Sequence, residues 1–157
     1  MADDRTPVPP GAVLFACNFN RVRSPMAEAL LKRLAGDRIY VDSCGLKLPP
    51  AGGAADLDNT DIDPFVRAVM AEIGCNLSNH RAKTFDDLED SSFDLVVSLT
   101  PESQHRAVEL ARGRAAEIEY WPVFDPTLAE GSREARLAAY RDVRDTLATR
   151  IARRFRT

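Results

Sequence analysis

Three residues near the start of the chain carry side chains suited to nucleophilic chemistry on a bound anion. Cys17 is followed by Arg23 after five intervening residues, and Ser24 comes next. The segment lies between an apolar run and a helix-like run, and a loop in that position turns backbone N–H groups and a helix N-terminus toward one point. Such a loop binds a phosphate-sized anion and favours the thiolate of a cysteine at its base. Arg23 can hold two phosphoryl oxygens, Ser24 can donate to the sulfur, and the thiolate can form a phosphocysteine.

The spacing of cysteine and arginine is weakly specific by itself, because Cys75 and Arg81 repeat it. The second copy lacks the preceding apolar run, the following hydroxyl and the following helix, so we interpret it as coincidence. All three features accompany Cys17, and Pro25 suits the first turn of a helix. The less favoured alternative is that Cys17 is a small buried hydrophobic residue at the end of a strand.

The segment from Cys17 to Glu28, together with Asp125-Pro126, resembles the low-molecular-weight protein tyrosine phosphatase family. The resemblance extends over almost the whole chain through the segments 41–45, 63–64, 80–82 and 93–97. It implies hydrolysis of a phosphate monoester, with phosphotyrosine as the expected substrate. Thioredoxin-coupled arsenate reductases share this fold and loop, so the resemblance alone does not select one chemistry.

The resemblance implies a catalytic role for Asp125 beside the nucleophile Cys17 and the phosphoryl-binding Arg23. Protonation of the departing oxygen removes the charge that develops there, and an acid beside an anion keeps its proton more readily. The same carboxylate can then accept a proton from the water that attacks the phosphocysteine. The alternative is that Asp-Pro only punctuates a loop. Asp63-Pro64 repeats the dipeptide, but it opens a helix and is interpreted as a cap.

The remaining loop residues are expected to bind the phosphate or to brace the loop. Phosphate binding is assigned to Ser24 and to Asn18, Phe19, Asn20, Arg21 and Val22. The resemblance implies a supporting hydrogen-bond network of Asn20, Ser24, Ser43 and His80. Asparagine can adopt a left-handed backbone conformation while its amide is fixed by the two hydroxyls, and His80 can fix those hydroxyls. Without the resemblance, His80 would be an ordinary loop histidine.

The chain departs from the family pattern in four respects. Phe19 replaces a glycine, and Val22 replaces the second cysteine of the loop, which removes the usual disulfide protection of the nucleophile. The aromatic residues expected after Asp-Pro and after Gly45 are also missing, where the chain has Thr127, Leu128, Lys47, Leu48 and Pro49. Because ring stacking normally favours phosphotyrosine, these changes leave the substrate open.

Composition limits the cellular setting and the partners. The chain has 157 residues, a net charge of −3 and three cysteines. The slight negative charge argues against nucleic acid or an anionic membrane as the main partner, and no stretch is apolar enough to span a bilayer. The odd cysteine count predicts reduced thiols in the cytoplasm, and no cluster has zinc-ligand spacing, so no metal or cofactor is expected. The expected partners are a phosphorylated protein or small phosphate ester, and inorganic phosphate or other oxyanions.

Alternating apolar runs and helical patterns predict an α/β domain with a four-stranded parallel open sheet and helices on both faces. Strands are predicted near residues 12–16, 38–43, 93–99 and 118–121, and helices near 25–35, 64–73, 101–112 and 132–155. Residues 1–10 are predicted to be a disordered lead-in and 11–157 the phosphatase domain. Ser24, Asp63 and Thr100 each precede a proline and are predicted helix caps.

The predicted layout brings distant residues together. Ligands of open parallel sheets bind beyond the carboxyl ends of the strands, where the strand order reverses. Cys17, Ser43 and Thr100 each end or follow a predicted strand, and Asp125 follows the fourth strand. We therefore expect these side chains to meet at one edge of the sheet.

Two other functions stay open beside the phosphatase. One is an arsenate reductase that uses an external small thiol. Its thioredoxin-coupled version needs two more cysteines after the third strand, and residues 100–119 contain none. The other is a non-catalytic phosphate-recognition module with a degenerate loop, which Phe19 favours. The presence of Cys17, Arg23 and Asp125 together argues against that module.

Overall fold

A computed structural model describes residues 10–48, 60–89 and 92–155 of the chain. It contains one parallel sheet in the order β2-β1-β3-β4 and four α-helices. In chain order the elements are β1 (Ala12–Cys17), α1 (Arg23–Ala35), β2 (Tyr40–Gly45), α2 (Pro64–Ala71), β3 (Leu95–Ser98), α3 (Pro101–Ala111), β4 (Glu117–Tyr120) and α4 (Arg133–Phe155). The predicted fold class is confirmed, and each predicted strand and helix is present with boundaries shifted by a few residues.

Strand β1 is the centre of the sheet because its side chains are apolar on both faces. Val13, Phe15 and Cys17 join the larger core cluster, whereas Leu14 and Ala16 join the smaller one. The larger cluster is closed by α1, α2 and α4, and the smaller one by α3. Successive side chains of a strand point to opposite faces of the sheet, and in β1 both sets are apolar. Both faces are therefore covered by helices, as predicted.

The two buried cysteines lie on opposite faces of the sheet. Cys17 packs in the cluster under α1, α2 and α4, and Cys44 packs in the cluster under α3. Both have free thiols, as does the partly buried Cys75. Burial, followed by the neighbouring Cys17, raises the pKa of the Cys44 thiol well above its ordinary value. Cys44 therefore behaves as an apolar core residue.

Two of the three predicted helix caps are present. The Asp63 carboxylate accepts from the N–H groups of Phe65 and Val66 at 2.8 and 3.3 Å, and the Thr100 hydroxyl accepts from the Ser103 N–H at 3.1 Å. The prediction for Ser24 is wrong, because α1 already begins at Arg23 and the Ser24 hydroxyl is not a cap. That hydroxyl turns inward, toward the end of β1.

Helix α4 packs on the sheet through one face. Its side chains at Val143, Leu147, Ile151 and Phe155 are buried, which confirms the four-residue periodicity of the sequence. No helix of the described part of the chain is both long enough and apolar enough to cross a membrane. The predicted lead-in and most of the irregular segment after Gly45 lie outside the described residues.

The edge formed by the carboxyl ends of β1, β2 and β3 is where the chain reverses its strand order. From β1 the chain passes to β2 on one side, and β3 then lies on the other side of β1. Cys17 and Gly45 are register partners at this edge, and Thr100 follows β3 two residues after its end. The residues that link β1 to α1, together with their two ends, are called here the Cys17 loop (residues 17–24).

Candidate active site

Cys17 lies at the base of the Cys17 loop, at the last position of β1, and its side chain is almost wholly buried. Its sulfur lies 2.9 Å from the hydroxyl oxygen of Ser24 in the first turn of α1. The side chain therefore sits where the strand end, the loop and the helix N-terminus converge. A thiolate in that position faces the positive end of the helix dipole.

Asn20 binds the Ser24 hydroxyl that contacts the Cys17 sulfur. The side-chain oxygen of Asn20 accepts from the backbone N–H of Lys83 at 3.1 Å, and a backbone N–H can only donate. The amide nitrogen therefore faces Ser24 and Ser43 and donates to their oxygens at 2.8 and 2.9 Å. The Ser24 hydroxyl thus accepts from Asn20, and its proton can be donated to the Cys17 sulfur or to the Cys44 carbonyl oxygen, which lies 3.4 Å away. When Cys17 is a thiolate it has no proton to donate, so Ser24 is then the donor of their hydrogen bond.

Asn20 is also the point at which the loop backbone turns. It is fully buried, and its φ of 57° is the only positive φ among the non-glycine residues that the structure describes. Asparagine tolerates this left-handed conformation better than most residues. The sequence analysis anticipated both the backbone conformation and the bonds of the amide to the two hydroxyls.

His80 braces the loop differently from the prediction. Its Nε2 lies 2.9 Å from the backbone oxygen of Asn20, so it contacts the loop backbone and not the hydroxyls of Ser24 and Ser43. Burial lowers the pKa of His80, against the opposing effect of the Asn20 carbonyl and of Glu28. A neutral ring protonated at Nε2 donates to that carbonyl.

Glu28 is a member of the network that sequence reasoning missed. The Ser43 hydroxyl donates to one of its carboxylate oxygens, and Lys32 pairs with the other. The signal available in the sequence was spacing, since Glu28 is four residues after Ser24 and so lies on the same face of α1. With its proton directed to Glu28, Ser43 presents a lone pair to Asn20.

Gly45 lets the end of β2 pack directly against the backbone of the Cys17 loop because it has no side chain. A Cβ at Gly45 would lie 2.8 Å from the backbone nitrogen of Asn20, 2.8 Å from the carbonyl carbon of Phe19 and 2.9 Å from the carbonyl oxygen of Asn18. The next residue, Leu46, donates its N–H toward the carbonyls of Cys17 and Asn18 at 3.1 and 2.9 Å. The end of β2 is thus a template for the shape of the loop.

Phe19 fits the loop without backbone strain, since its φ is not positive. Its ring is 38% exposed and projects away from the core. The ammonium of Lys47 lies over that ring, 5.9 Å from the centroid. Phe19, where the family has glycine, therefore adds an exposed aromatic surface beside the site and needs no left-handed backbone conformation.

Arg23 and Asp125 approach each other at the same edge. One terminal nitrogen of Arg23 donates to the carbonyl of Val123 at 3.1 Å, and the other lies 3.8 Å from the Asp125 carboxylate. The other carboxylate oxygen of Asp125 accepts from the N–H and the hydroxyl of Thr127 at 3.0 and 2.7 Å. The acid is therefore held by Thr127 on one side while its second oxygen faces Arg23.

The side chains of Arg21 and Asn18 bind neighbouring segments. The Arg21 guanidinium donates to the backbone oxygen of Asp61 at 2.6 Å, and the Asn18 side-chain oxygen accepts from the Thr100 hydroxyl at 2.8 Å. Val22 is half-buried against the core. These residues were assigned to phosphate binding, and of the loop side chains Arg23 is the cation that faces Asp125.

Phe124 is a second exposed aromatic residue that the sequence analysis missed. It directly precedes Asp125 and is 60% exposed, and Leu128 after the Asp-Pro dipeptide is 69% exposed. The search for aromatic residues considered the positions after Asp125 and after Gly45, and not the position before Asp125. Within the described part of the chain, no three histidine, cysteine or acidic side chains are arranged to hold a metal.

Comparisons with known proteins agree with this geometry. The family described as low molecular weight phosphotyrosine protein phosphatase matches residues 12–155. An arsenate reductase of Halalkalibacterium halodurans is 33% identical over 139 residues, which are 88% of this chain and 91% of that protein.

Two solved structures extend the comparison. An arsenate reductase in its phosphate-binding state has a TM-score of 0.70 at 26% identity, covering 90% of this chain and 94% of its own. The tyrosine phosphatase AmsI of Erwinia amylovora has a TM-score of 0.68 at 22% identity, covering 94% and 95%, and so shares the fold. The relatives thus include both phosphatases and arsenate reductases.

Proposed function

Because the chain belongs to the low molecular weight phosphotyrosine protein phosphatase family, we propose that it hydrolyses phosphate monoesters through a phosphocysteine on Cys17, with phosphotyrosine in proteins as the substrate. The observation that carries the proposal is the meeting of Arg23 and Asp125 at 3.8 Å beside the loop in which Ser24 faces the Cys17 sulfur. A nucleophile, a planar cation and a carboxylic acid are the groups that the reaction needs.

In the first step the Cys17 thiolate attacks phosphorus, so that a sulfur–phosphorus bond forms and the bond to the leaving oxygen breaks. Asp125 delivers its proton to that oxygen. The transition state is loose and spreads negative charge over the three equatorial oxygens, which the backbone N–H groups of the loop and the Arg23 guanidinium stabilise.

In the second step Asp125, now a carboxylate, takes a proton from water. The water oxygen attacks phosphorus, the sulfur–phosphorus bond breaks, and inorganic phosphate leaves. The electron pair of that bond returns to Cys17, where the Ser24 hydroxyl donates to the departing thiolate. Asn20 holds the Ser24 hydroxyl in place for this role by donating to its oxygen. We assign the remaining loop residues to binding through their backbone N–H groups.

A second candidate function is reduction of arsenate with an external thiol, and the names of the curated relatives favour it. Arsenate has the shape and charge of phosphate, so the same loop suits it. Reduction to arsenite takes two electrons, one from Cys17 and one from a small thiol, which end as a mixed disulfide. No cysteine occurs at residues 100–119, so an internal relay after β3 is not available.

One experiment separates these functions. Purified protein is given p-nitrophenyl phosphate and a phosphotyrosine peptide in one set of assays, and arsenate with glutathione in another. Release of phosphate from both phosphoesters, with arsenate reduced no faster than by glutathione alone, is the expected result. Thiol-dependent arsenate reduction without phosphatase turnover would make the chain a reductase, and oxyanion binding without either reaction would make it a recognition module. Because Cys17 must stay reduced, we place the activity in the cytoplasm.

A further inference from the structure

Lys47 is fixed beside the mouth of the site by the loop itself. Its backbone N–H donates to the carbonyl of Asn18 at 3.2 Å, next to the bonds that the N–H of Leu46 makes to the same loop. Its ammonium lies over the exposed ring of Phe19, 5.9 Å from the centroid. Asn18 and Phe19, the two residues that follow Cys17, therefore fix the position of the ammonium relative to the nucleophile.

The charge of Lys47 is not compensated by this part of the protein. Among the described residues, no carboxylate pairs with its ammonium, whereas Lys83 pairs with Asp42 and Arg23 faces Asp125. The Arg21 guanidinium is bound to the Asp61 carbonyl. The Lys47 ammonium, which lies over the exposed Phe19, is thus placed to meet a molecule in solution.

The surroundings of Lys47 suit a peptide that carries a carboxylate. Phe19 gives a ring that is 38% exposed, and Phe124 beside the general acid gives another that is 60% exposed, so an apolar segment of substrate can lie on either. A cation over an aromatic ring keeps its charge accessible on the side away from the ring. A basic substrate side chain at this place would meet Lys47 and be repelled, while an acidic one would pair with it.

We propose that Lys47, held over Phe19, is a specificity residue that selects phosphopeptides with an aspartate or glutamate next to the phosphorylated residue. The inference rests on the proposed phosphatase function and adds a sequence preference to it. An exposed ion pair is worth up to about 1 kcal/mol, or about fivefold in kcat/KM. Because the pair is exposed, the preference weakens as the salt concentration rises.

The test compares phosphotyrosine peptides that differ only in the residues flanking phosphotyrosine, with aspartate, glutamine or lysine on both sides. The wild-type protein is expected to prefer the aspartate peptide over the lysine peptide by about three- to tenfold in kcat/KM at low salt. Lys47→Gln should bring this ratio close to one, and Lys47→Glu should invert it. p-Nitrophenyl phosphate has no flanking residues, so its kcat/KM should change by less than about threefold in both variants.

Arg153→Glu is the matched control, because it makes the same charge change in the last turn of α4, about 30 Å along that helix from its start. It should leave the peptide ratio unchanged. An unchanged ratio in Lys47→Glu, with p-nitrophenyl phosphate still hydrolysed, would overturn the inference and leave the phosphatase standing. Absence of p-nitrophenyl phosphate turnover in the wild type would overturn the proposed function, and the inference with it.

Discussion

The guanidinium of Arg23 lies 3.8 Å from the carboxylate of Asp125 while it donates to the carbonyl of Val123 at 3.1 Å. The first turn of α1 is thereby joined to the segment that follows β4. One side chain can thus bind the phosphoryl group and hold the segment that carries the acid. Substitutions at the two positions should separate these contributions.

Arg23→Lys should lower kcat/KM for p-nitrophenyl phosphate by at least about a hundredfold, a loss of about 3 kcal/mol of transition-state stabilisation. Lysine keeps the charge but lacks the planar pair of donors, and it cannot reach both Val123 and the substrate. Arg21→Lys is the matched control, because that guanidinium is bound to Asp61. A near wild-type rate in Arg23→Lys would contradict its role and direct attention to Arg21.

Asp125→Asn should slow the enzyme most with leaving groups that need a proton. The measurement uses a series of aryl phosphates whose leaving-group pKa values spread over several units. A plot of log kcat/KM against leaving-group pKa should have a steeper slope for Asp125→Asn than for the wild type. Asp63→Asn is the control, since Asp63 caps α2. Equal losses across all leaving groups would make Asp125 a structural residue.

Cys17→Ser should abolish turnover while the fold and the binding of phosphate or vanadate persist. A serine hydroxyl stays protonated where the thiol ionises, so it is a poor nucleophile in this loop. Circular dichroism and oxyanion titration check the variant. In the wild type, vanadate should protect Cys17 from alkylation. Retained hydrolysis in the serine variant would remove the phosphocysteine from the mechanism.

Gly45→Ala should lower kcat/KM by about tenfold or more with little loss of global stability. Its Cβ would meet backbone atoms of Asn20 and Phe19 at 2.8 Å, so the loop must move, and small displacements of binding groups are costly in rate. Gly11→Ala, at the other end of β1, meets only the Asp94 carboxylate at 3.2 Å and should keep its activity. Kinetics and thermal melts of both variants give the comparison, and equal activity losses would refute the template role of Gly45.

Glu72→Gln should make the free energy of unfolding depend less steeply on pH in the acid range. Hydrogen bonds from Arg141 and then Arg144 lower the pKa of Glu72 from 4.5 to about 2. Since the folded-state pKa is depressed, the stabilisation is present above pH 4.5 and is lost as the pH falls toward 2. Urea unfolding between these pH values should show a shallower slope for Glu72→Gln than for the wild type. Glu130→Gln, at an exposed position before α4, should keep the wild-type slope.

The architecture could be predicted because short sequence patterns specify most of its strands and helices. The apolar run of β1 is buried on both faces, and the cap residues Asp63 and Thr100 start helices where proline follows them. Ser24 shows the limit of such signals. It has the same pattern as the other two caps, but its hydroxyl meets Cys17 instead of a backbone N–H. Pattern predicts that a helix begins there and does not predict what the side chain contacts.

The contacts that orient the site are harder to predict because they join distant segments. The N–H of Lys83, 63 positions after Asn20, decides which way the amide of Asn20 points. That bond leaves no periodic trace in the sequence. For the bond of Ser43 to Glu28 the only trace is the four-residue spacing of Ser24 and Glu28 on α1, which does not name Ser43 as the partner. Phe124 was missed for a different reason, since the resemblance directed the search to the positions after Asp125 and after Gly45.

The placement of Cys17 and Cys44 on opposite faces of the sheet governs how the nucleophile would recover from peroxide. Peroxide converts a thiolate to a sulfenic acid, which a second thiol returns to the reduced state through a disulfide. The Cys44 side chain points to the face of the sheet opposite to that of Cys17, so the two thiols do not face each other. Cys75 lies beside Arg33, nine residues and about 13 Å along α1 from Ser24 at the end of the loop. With Val22 in the loop, recovery from the sulfenic acid therefore depends on a thiol supplied from solution.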